Sequence, residues 1–135
     1  MNKQVLHLII FSIIMIMPNS LSAQQNKLNN NQKAISLFVE FQFETKDINL
    51  AIELLTNMQN KVIEHEEGCI VYDILLSEEE SNTIYLYECY ENKAALDIHN
   101  KAPYFKDIVE KQLAPLIKNQ KILKLHPINE IGAMM

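Results

Sequence analysis

The sequence predicts an α+β domain in which four strands and two helices follow one another in the order β-α-β-β-α-β. Three observations predict it: an early run with apolar residues at every second position, two later strand-like runs around a polar turn, and two segments with helical spacing. The length of 135 residues suits one domain, and 48% hydrophobic with 21% charged residues is typical of a globular protein.

The first strand is predicted over residues 35–43, where Ile35, Leu37, Val39, Phe41 and Phe43 alternate with mostly polar residues. A helix follows, with Asp47 as the candidate N-cap and Gly68 marking the end of the segment. Its buried face is predicted from apolar residues at helical spacing: Ile48, Ala51, Leu54, Leu55, Met58, Val62 and Ile63.

Two strands come next, Cys69 to Leu76 and Thr83 to Tyr90, joined by the polar turn 77–82. Asn92 is the candidate cap of a second helix through Asn100. Pro103 suits the first turn of a further helical piece over residues 104–114, and residues 121–126 predict a short last strand.

This order is the ferredoxin-like arrangement, an antiparallel sheet with both helices on one face. Alternation places Val71, Leu75, Tyr85 and Tyr87 on one face of the sheet. The other face receives Ile70, Tyr72, Ile74, Ile84 and Leu86. Both faces are apolar, but the helices can cover only one. We therefore expect a second copy to cover the other face in a homodimer; a monomer with a partly hydrated back face is the alternative.

The N-terminus predicts an export signal over residues 1–23. Lys3 supplies the positive charge, residues 5–17 form a short apolar run, and Ala23 precedes the expected cleavage site. The run is shorter than the roughly 20 residues of a membrane-spanning helix, although an uncleaved anchor is the alternative. Residues 24–33 are predicted to form a flexible leader, residues 34–128 the domain and residues 129–135 a tail. After cleavage we expect a periplasmic or secreted protein with no stable membrane anchor.

The charge argues against a nucleic-acid partner. The formal net charge is −5, all 12 basic residues are lysine, and no basic stripe is present. Without arginine the chain also lacks the bidentate fork that favours phosphate groups, so a phosphorylated substrate is disfavoured.

Three stretches resemble the antibiotic-biosynthesis-monooxygenase family. They are residues 66–73 (EEGCIVYD), 82–96 (NTIYLYECYENKAAL) and 98–105 (IHNKAPYF), within a similarity that covers about 35–127. The resemblance implies a dimeric α+β barrel. The family includes monooxygenases that oxidise polycyclic phenols, anthrones or quinols with dioxygen and no cofactor, and it also includes many proteins without a known reaction. Some members degrade haem and rely on a Trp and on an Asn in strand one. This chain has no Trp, and Tyr90 stands where many members have it; strand one offers Glu40 and Gln42 but no Asn. These differences argue against haem degradation.

With this resemblance, His99 is the candidate base, because a neutral imidazole can take the proton of a phenol. Glu88 is the second candidate; as a buried carboxylate it would orient His99 or bond to the substrate. Tyr72 and Tyr90 are expected to line the pocket, and Tyr104 and Phe105 to close its mouth. For each of the six, ordinary packing or a structural hydrogen bond is the alternative.

Two further groups of residues could form a metal site or a disulfide. His65, Glu66 and Glu67 form a polar cluster at a helix end but lack converging ligands, so no metal site is predicted. If Glu79 is the centre of the hairpin, Cys69 and Cys89 stand opposite each other, within reach of a disulfide; two free thiols are the alternative.

Together these features predict a cofactor-independent monooxygenase that acts on a small aromatic quinol or phenol with dioxygen. Two alternatives use the same cavity: a non-catalytic periplasmic protein that binds a small aromatic or haem-like ligand, and an isomerase.

Overall fold

The computed structural model describes residues 33–126. They form a four-stranded antiparallel sheet of strand order β2-β3-β1-β4, with helices on one face. The strands are β1 (Ile35–Phe43), β2 (Cys69–Leu76), β3 (Thr83–Tyr90) and β4 (Ile117–Leu125). The ferredoxin-like prediction is therefore confirmed. The predicted export signal, most of the leader and the tail lie outside the described residues. No helix within residues 33–126 is long and apolar enough to cross a membrane.

The helical layer contains α1 (Ile48–His65), α2 (Lys93–Lys101) and the short α3 (Pro103–Phe105). A π-helical segment, Lys106–Leu113, and a 3₁₀ turn, Ala114–Leu116, then lead into β4. The predicted single helix after Pro103 is thus three kinds of helical turn, and the last strand begins four residues earlier than predicted, because β4 pairs with the whole length of β1.

The core lies between the sheet and α1, which buries residues on one stripe, as the helical spacing predicts: Ala51, Leu54, Leu55, Met58 and Val62. Ile63, which was also assigned to that stripe, is 74% exposed because it lies one position beyond Val62 and points off the stripe. Asp47 occupies the N-cap position but its side chain makes no capping hydrogen bond. Asn92 does cap α2, since its Oδ1 accepts from the Ala95 N–H at 3.0 Å.

A β-bulge at the start of β2 changes the predicted register. Cys69 pairs with Tyr90 and Val71 with Cys89, so Ile70 is the extra residue and is 57% exposed. The prediction that Ile70 shares a sheet face with Tyr72 is therefore wrong. The direct opposition of Cys69 and Cys89 is also wrong, and both thiols are free in the structure.

The opposite sheet face carries no helix in the described chain. Phe38 and Tyr85 stack there with ring centroids 5.3 Å apart, and Leu123 beside them is 41% exposed. On β4, Ile122 is 55% exposed on the helix side of the sheet. The two apolar faces expected from the sequence are present, and coverage by a second copy stays a prediction.

Candidate active site

The alternation of β3 determines which of its side chains reach the interior. Ile84, Leu86, Glu88 and Tyr90 are all buried on the helix side. Glu88 pairs across the sheet with Tyr72 on β2 and with Leu37 on β1. A carboxylate is thereby placed in an otherwise apolar interior, as the sequence predicts.

A cavity of about 130 Å³ lies between this part of the sheet and the helices. Its walls are mostly aliphatic and aromatic, and the polar groups among its lining residues are Glu88, His99, Asn100 and Gln120. Asn100 and Gln120 are exposed, so they mark the side on which the cavity meets solvent. A cavity of about 150 Å³ holds one benzene ring, so this space suits a single aromatic ring.

His99 is the polar group most tightly enclosed in this wall. Its side chain is 3% exposed and lies among three aromatic rings, those of Tyr72 (5.8 Å between centroids), Tyr90 (5.2 Å) and Phe105 (5.0 Å, edge-on). Its position follows from α2, where Ala95 and His99 are buried one turn apart on the same face.

The partner of His99 is Glu66, for which the sequence predicts only a place in a polar cluster at a helix end. Nδ1 of His99 lies 3.0 Å from Oε2 and 3.1 Å from Oε1 of Glu66, whose side chain is also 3% exposed. The Tyr104 hydroxyl donates to Oε1 at 2.6 Å. Within residues 33–126 the other ring nitrogen, Nε2, has no hydrogen-bond partner, so it is the nitrogen left to meet a ligand in the cavity.

A tight turn brings Glu66 to this position. The Glu66 N–H bonds to the Val62 carbonyl as α1 ends, and the Glu66 carbonyl accepts from the Cys69 N–H at 3.0 Å. Gly68 lies so close to α2 that an added Cβ would be 2.6 Å from the Cβ of Ala95. Because Ala95 and His99 share one face, a turn that packs on the first residue also reaches the second.

Glu88 is engaged differently from the predicted role of orienting His99. Its Oε2 accepts a hydrogen bond of 2.7 Å from the Tyr90 hydroxyl. Burial raises the pKa of the Glu88 carboxyl, while the Tyr90 hydrogen bond and His99 act toward a lower pKa. Glu88 is thus a cavity carboxyl with an increased tendency to hold its proton, and Glu66 is the residue that orients His99.

The predicted pocket residues divide into two groups. Tyr72, Glu88, His99 and Phe105 line the cavity. Tyr90 and Tyr104 do not, contrary to expectation: Tyr90 lies behind His99 with its hydroxyl bonded to Glu88, and Tyr104 turns its hydroxyl to Glu66 on the other side of the imidazole.

The remaining ionisable groups around His99 stay protonated at neutral pH. Burial is the largest cause that raises the pKa of Tyr72, Tyr90 and Tyr104, and nearby carboxylates add to it. Burial also raises the pKa of the Cys69 thiol to about 12, with Glu66 as the next cause. The site therefore combines one histidine with two carboxyl groups, among phenols and a thiol that remain neutral.

The sequence model for antibiotic biosynthesis monooxygenases matches residues 34–111, which is more than half of the chain. The chain belongs to this family. The matched residues include β1 to β3, α2 and both members of the Glu66–His99 pair. The resemblance drawn from the three sequence stretches is thereby confirmed.

Relatives of this family member are known in several bacteria. An uncharacterized protein of Synechocystis sp. is 29% identical over 126 residues, covering 93% of this chain and 83% of its own. A solved structure from Caulobacter crescentus, provisionally named an antibiotic biosynthesis monooxygenase, has a TM-score of 0.68 at 21% identity and covers 77% of this chain and 98% of its own. A Bacteroides thetaiotaomicron protein of unknown function, described as a possible oxidoreductase, has a TM-score of 0.65 at 26% identity, covering 70% and 97%. These two structural similarities show that the chain has the same fold as the two solved proteins.

Proposed function

We propose that this protein is a cofactor-independent monooxygenase that oxidises a single-ring quinol or phenol with dioxygen. One observation carries the proposal. His99 is held at Nδ1 by Glu66, its Nε2 has no hydrogen-bond partner among residues 33–126, and the residue lies on the wall of a mostly apolar cavity of about 130 Å³. A base in such a place can ionise a bound phenol, and family membership supports the oxygen chemistry.

The first step is proton transfer from a substrate hydroxyl to Nε2 of His99. The resulting imidazolium is stabilised by the Glu66 carboxylate, an ion pair that gains strength in a buried site. Glu88, whose pKa is raised by burial, can donate a hydrogen bond to the phenolate oxygen when it is protonated. The phenolate is electron-rich at its ring carbons, and this is where dioxygen would be reduced.

The remaining steps balance without an added reductant. A ring carbon of the quinol anion bonds to dioxygen, which becomes a hydroperoxide, and the O–O bond then breaks. One oxygen stays on the ring as a carbonyl, and the other leaves as water with the proton held by His99 and the proton of the ring carbon. For benzene-1,4-diol the products are hydroxybenzoquinone and water, so four electrons pass from the ring to dioxygen.

Oxygen uptake by the purified protein with single-ring quinols, without added cofactor, tests the proposal. We expect uptake of one dioxygen per quinol and transfer of one atom from ¹⁸O₂ into the product. His99→Ala should lower the rate by about 100-fold or more, whereas His126→Ala, which changes an exposed histidine outside the cavity, should not. Absence of uptake with every quinol, combined with saturable binding of an aromatic ligand, would replace the monooxygenase with a binding protein or an isomerase.

We also propose a homodimer joined through the sheet face that carries Phe38, Tyr85 and Leu123. The half-buried stack of Phe38 and Tyr85 beside the exposed Leu123 supports this, because an apolar sheet face is stabilised when a second layer covers it. Light scattering after size exclusion tests it: Tyr85→Lys should shift a dimer mass to a monomer mass. A monomer mass for the unmodified protein would contradict it.

Export and cleavage after Ala23 are a further proposal, supported by the charged, then apolar, then small-residue order of residues 1–23. Intact mass of the protein recovered from the periplasm or medium tests it. A mass that begins at Gln24 is expected, and a membrane-bound chain that retains Met1 would contradict it.

A further inference from the structure

We infer that Glu66 connects His99 to solvent, so that the proton taken from a substrate is exchanged with water through the protein surface behind the imidazole and not through the cavity mouth. The inference rests on the proposed function for its substrate, and it assigns Glu66 as a positioning and relay residue, since Glu66 acts through His99.

The two members of the pair border different spaces. His99 lines the cavity, and it borders neither of the two open surface grooves near the end of α1. Glu66 is a lining residue of both grooves, with a side chain that is 3% exposed, and it is not among the residues of the cavity. The hydrogen-bonded pair therefore lies between the mostly apolar cavity and the two surface grooves.

The hydrogen bonds have the direction that a relay needs. With Nδ1 protonated, His99 donates to Glu66, and a proton arriving at Nε2 leaves an imidazolium that can pass its Nδ1 proton to a Glu66 oxygen. Tyr104 donates to the same carboxylate at 2.6 Å and holds it in place. From Glu66 the proton goes to water in a groove and returns by the same route; no group is oxidised or reduced.

The cavity side offers a poorer route once a ligand is bound. Most lining groups are apolar, and a single ring in about 130 Å³ fills the space that water would use. The titratable groups that face the pair from neighbouring elements are Cys69 and Tyr72 on β2, Glu88 and Tyr90 on β3, and Tyr104 on α3. Glu88 is the carboxyl among them, so it has to be tested separately.

A pH-jump experiment with bound 4-nitrophenol, whose anion is yellow, tests the relay without any oxygen chemistry. The purified protein is saturated with 4-nitrophenol, and the pH is raised in a stopped-flow instrument. In the unmodified protein the bound phenol should ionise at least about tenfold faster than 4-nitrophenol dissociates. In Glu66→Gln, which keeps a hydrogen-bond acceptor for Nδ1 but resists protonation, ionisation should slow to the dissociation rate.

Matched variants separate relay from structure. Glu67→Gln changes the exposed neighbouring carboxylate and should behave as the unmodified protein. Glu88→Gln removes the cavity carboxyl that bonds to the phenolate, so ionisation should slow, but it should stay faster than dissociation because the route through Glu66 remains. In Glu66→Ala the bound 4-nitrophenol should ionise slowly. Formate that enters from the groove should raise this ionisation rate at least about tenfold, since formate can supply the missing carboxylate.

The outcomes also distinguish this inference from the proposed function. Ionisation no faster than dissociation in the unmodified protein, or an unchanged rate in Glu66→Gln, would overturn the relay. Fast ionisation without oxygen uptake by any quinol would keep the relay and overturn the monooxygenase. Failure of 4-nitrophenol to bind would overturn the relay together with the proposed substrate class.

Discussion

Nδ1 of His99 lies 3.0 Å from Oε2 of Glu66, although 33 residues separate the two in the chain. Both side chains are almost fully buried, and the Tyr104 hydroxyl occupies the second carboxylate oxygen. The pair joins the end of α1 to the buried face of α2, next to the cavity. It is therefore a structural connection between two helices as well as the centre of the proposed chemistry.

The pair should be measurable in the stability of the protein. Glu66→Ala leaves Nδ1 of the buried His99 and the hydroxyl of the half-buried Tyr104 without their acceptor, and a buried group that loses its partner costs about 1–3 kcal/mol. We expect the free energy of unfolding in urea to fall by about 2–4 kcal/mol. Glu67→Ala, at the adjacent exposed position, should stay within about 0.5 kcal/mol of the unmodified protein. Equal losses in the two variants would show that the pair does not stabilise the fold.

Glu88 should make stability fall as the pH rises. Burial raises its folded-state pKa above the usual 4.5, so the folded protein binds this proton more tightly than the unfolded chain. The resulting stability is fully present below pH 4.5 and is lost as the pH rises through the folded-state pKa. Glu88→Gln removes this loss, so its free energy of unfolding should decline less steeply above pH 4.5.

Urea unfolding at a series of pH values measures this difference, and Glu53→Gln, an exposed change on α1, is the control that should follow the unmodified protein. Glu44 acts in the opposite direction. Its hydrogen bonds with Lys118 and Lys46 lower its pKa to about 2, so its contribution is lost as the pH falls from 4.5 toward 2. Parallel curves for Glu88→Gln and the unmodified protein would contradict the assignment for Glu88.

Gly68 should be intolerant of any side chain because of one neighbour. A Cβ at this position would lie 2.6 Å from the Cβ of Ala95, which is too close for two carbon atoms. Gly68→Ala should therefore cost about 1–3 kcal/mol, the usual range for overpacking. The double variant with Ala95→Gly should recover part of that loss in thermal unfolding, beyond the sum of the two single changes. Strict additivity would show that this contact is not the reason for the glycine.

The topology could be predicted from local patterns, but the partner of His99 could not. Period-2 alternation in β1 and β3 identifies Val39, Leu86 and Glu88 as interior residues, because a strand turns successive side chains to opposite faces. Glu66 has no such signal. Its role depends on a turn packing against α2, and the informative clue was Gly68, which had been interpreted only as the end of a helical segment.

The predicted register of the hairpin is wrong for a similar reason. Counting outward from Glu79 assumes that β2 and β3 contribute equal numbers of residues, and the bulge at Ile70 breaks that assumption. A bulge depends on how the preceding turn joins the strand, here through the bonds of Glu66 to Cys69 and of Gly68 to Glu91. These two contacts, one within the turn and one between the turn and Glu91, are not encoded in the alternation of β2 itself.

Both cysteines should be free in the native protein. Cys69 pairs with Tyr90 and Cys89 with Val71, so neither thiol faces the other directly. Titration of the denatured, unreduced protein should give two thiols per chain. In the native state Cys69 should react slowly, because burial raises its pKa to about 12 and the thiolate is the reactive form. A mass two units lower that is restored by reduction would instead establish a disulfide.

The size of the cavity should determine which phenols enter. Leu113, in the π-helical segment, is fully buried and lines the cavity, so Leu113→Ala enlarges it at a cost of about 2–5 kcal/mol in unfolding free energy. The unmodified protein should bind phenol more tightly than the two-ring 1-naphthol, and Leu113→Ala should shift that ratio toward 1-naphthol by about tenfold. Calorimetry measures both affinities, with Ile63→Ala, at a 74% exposed position, as the control that leaves the ratio unchanged. Tighter binding of 1-naphthol than of phenol by the unmodified protein would show that this wall does not limit the substrate to one ring.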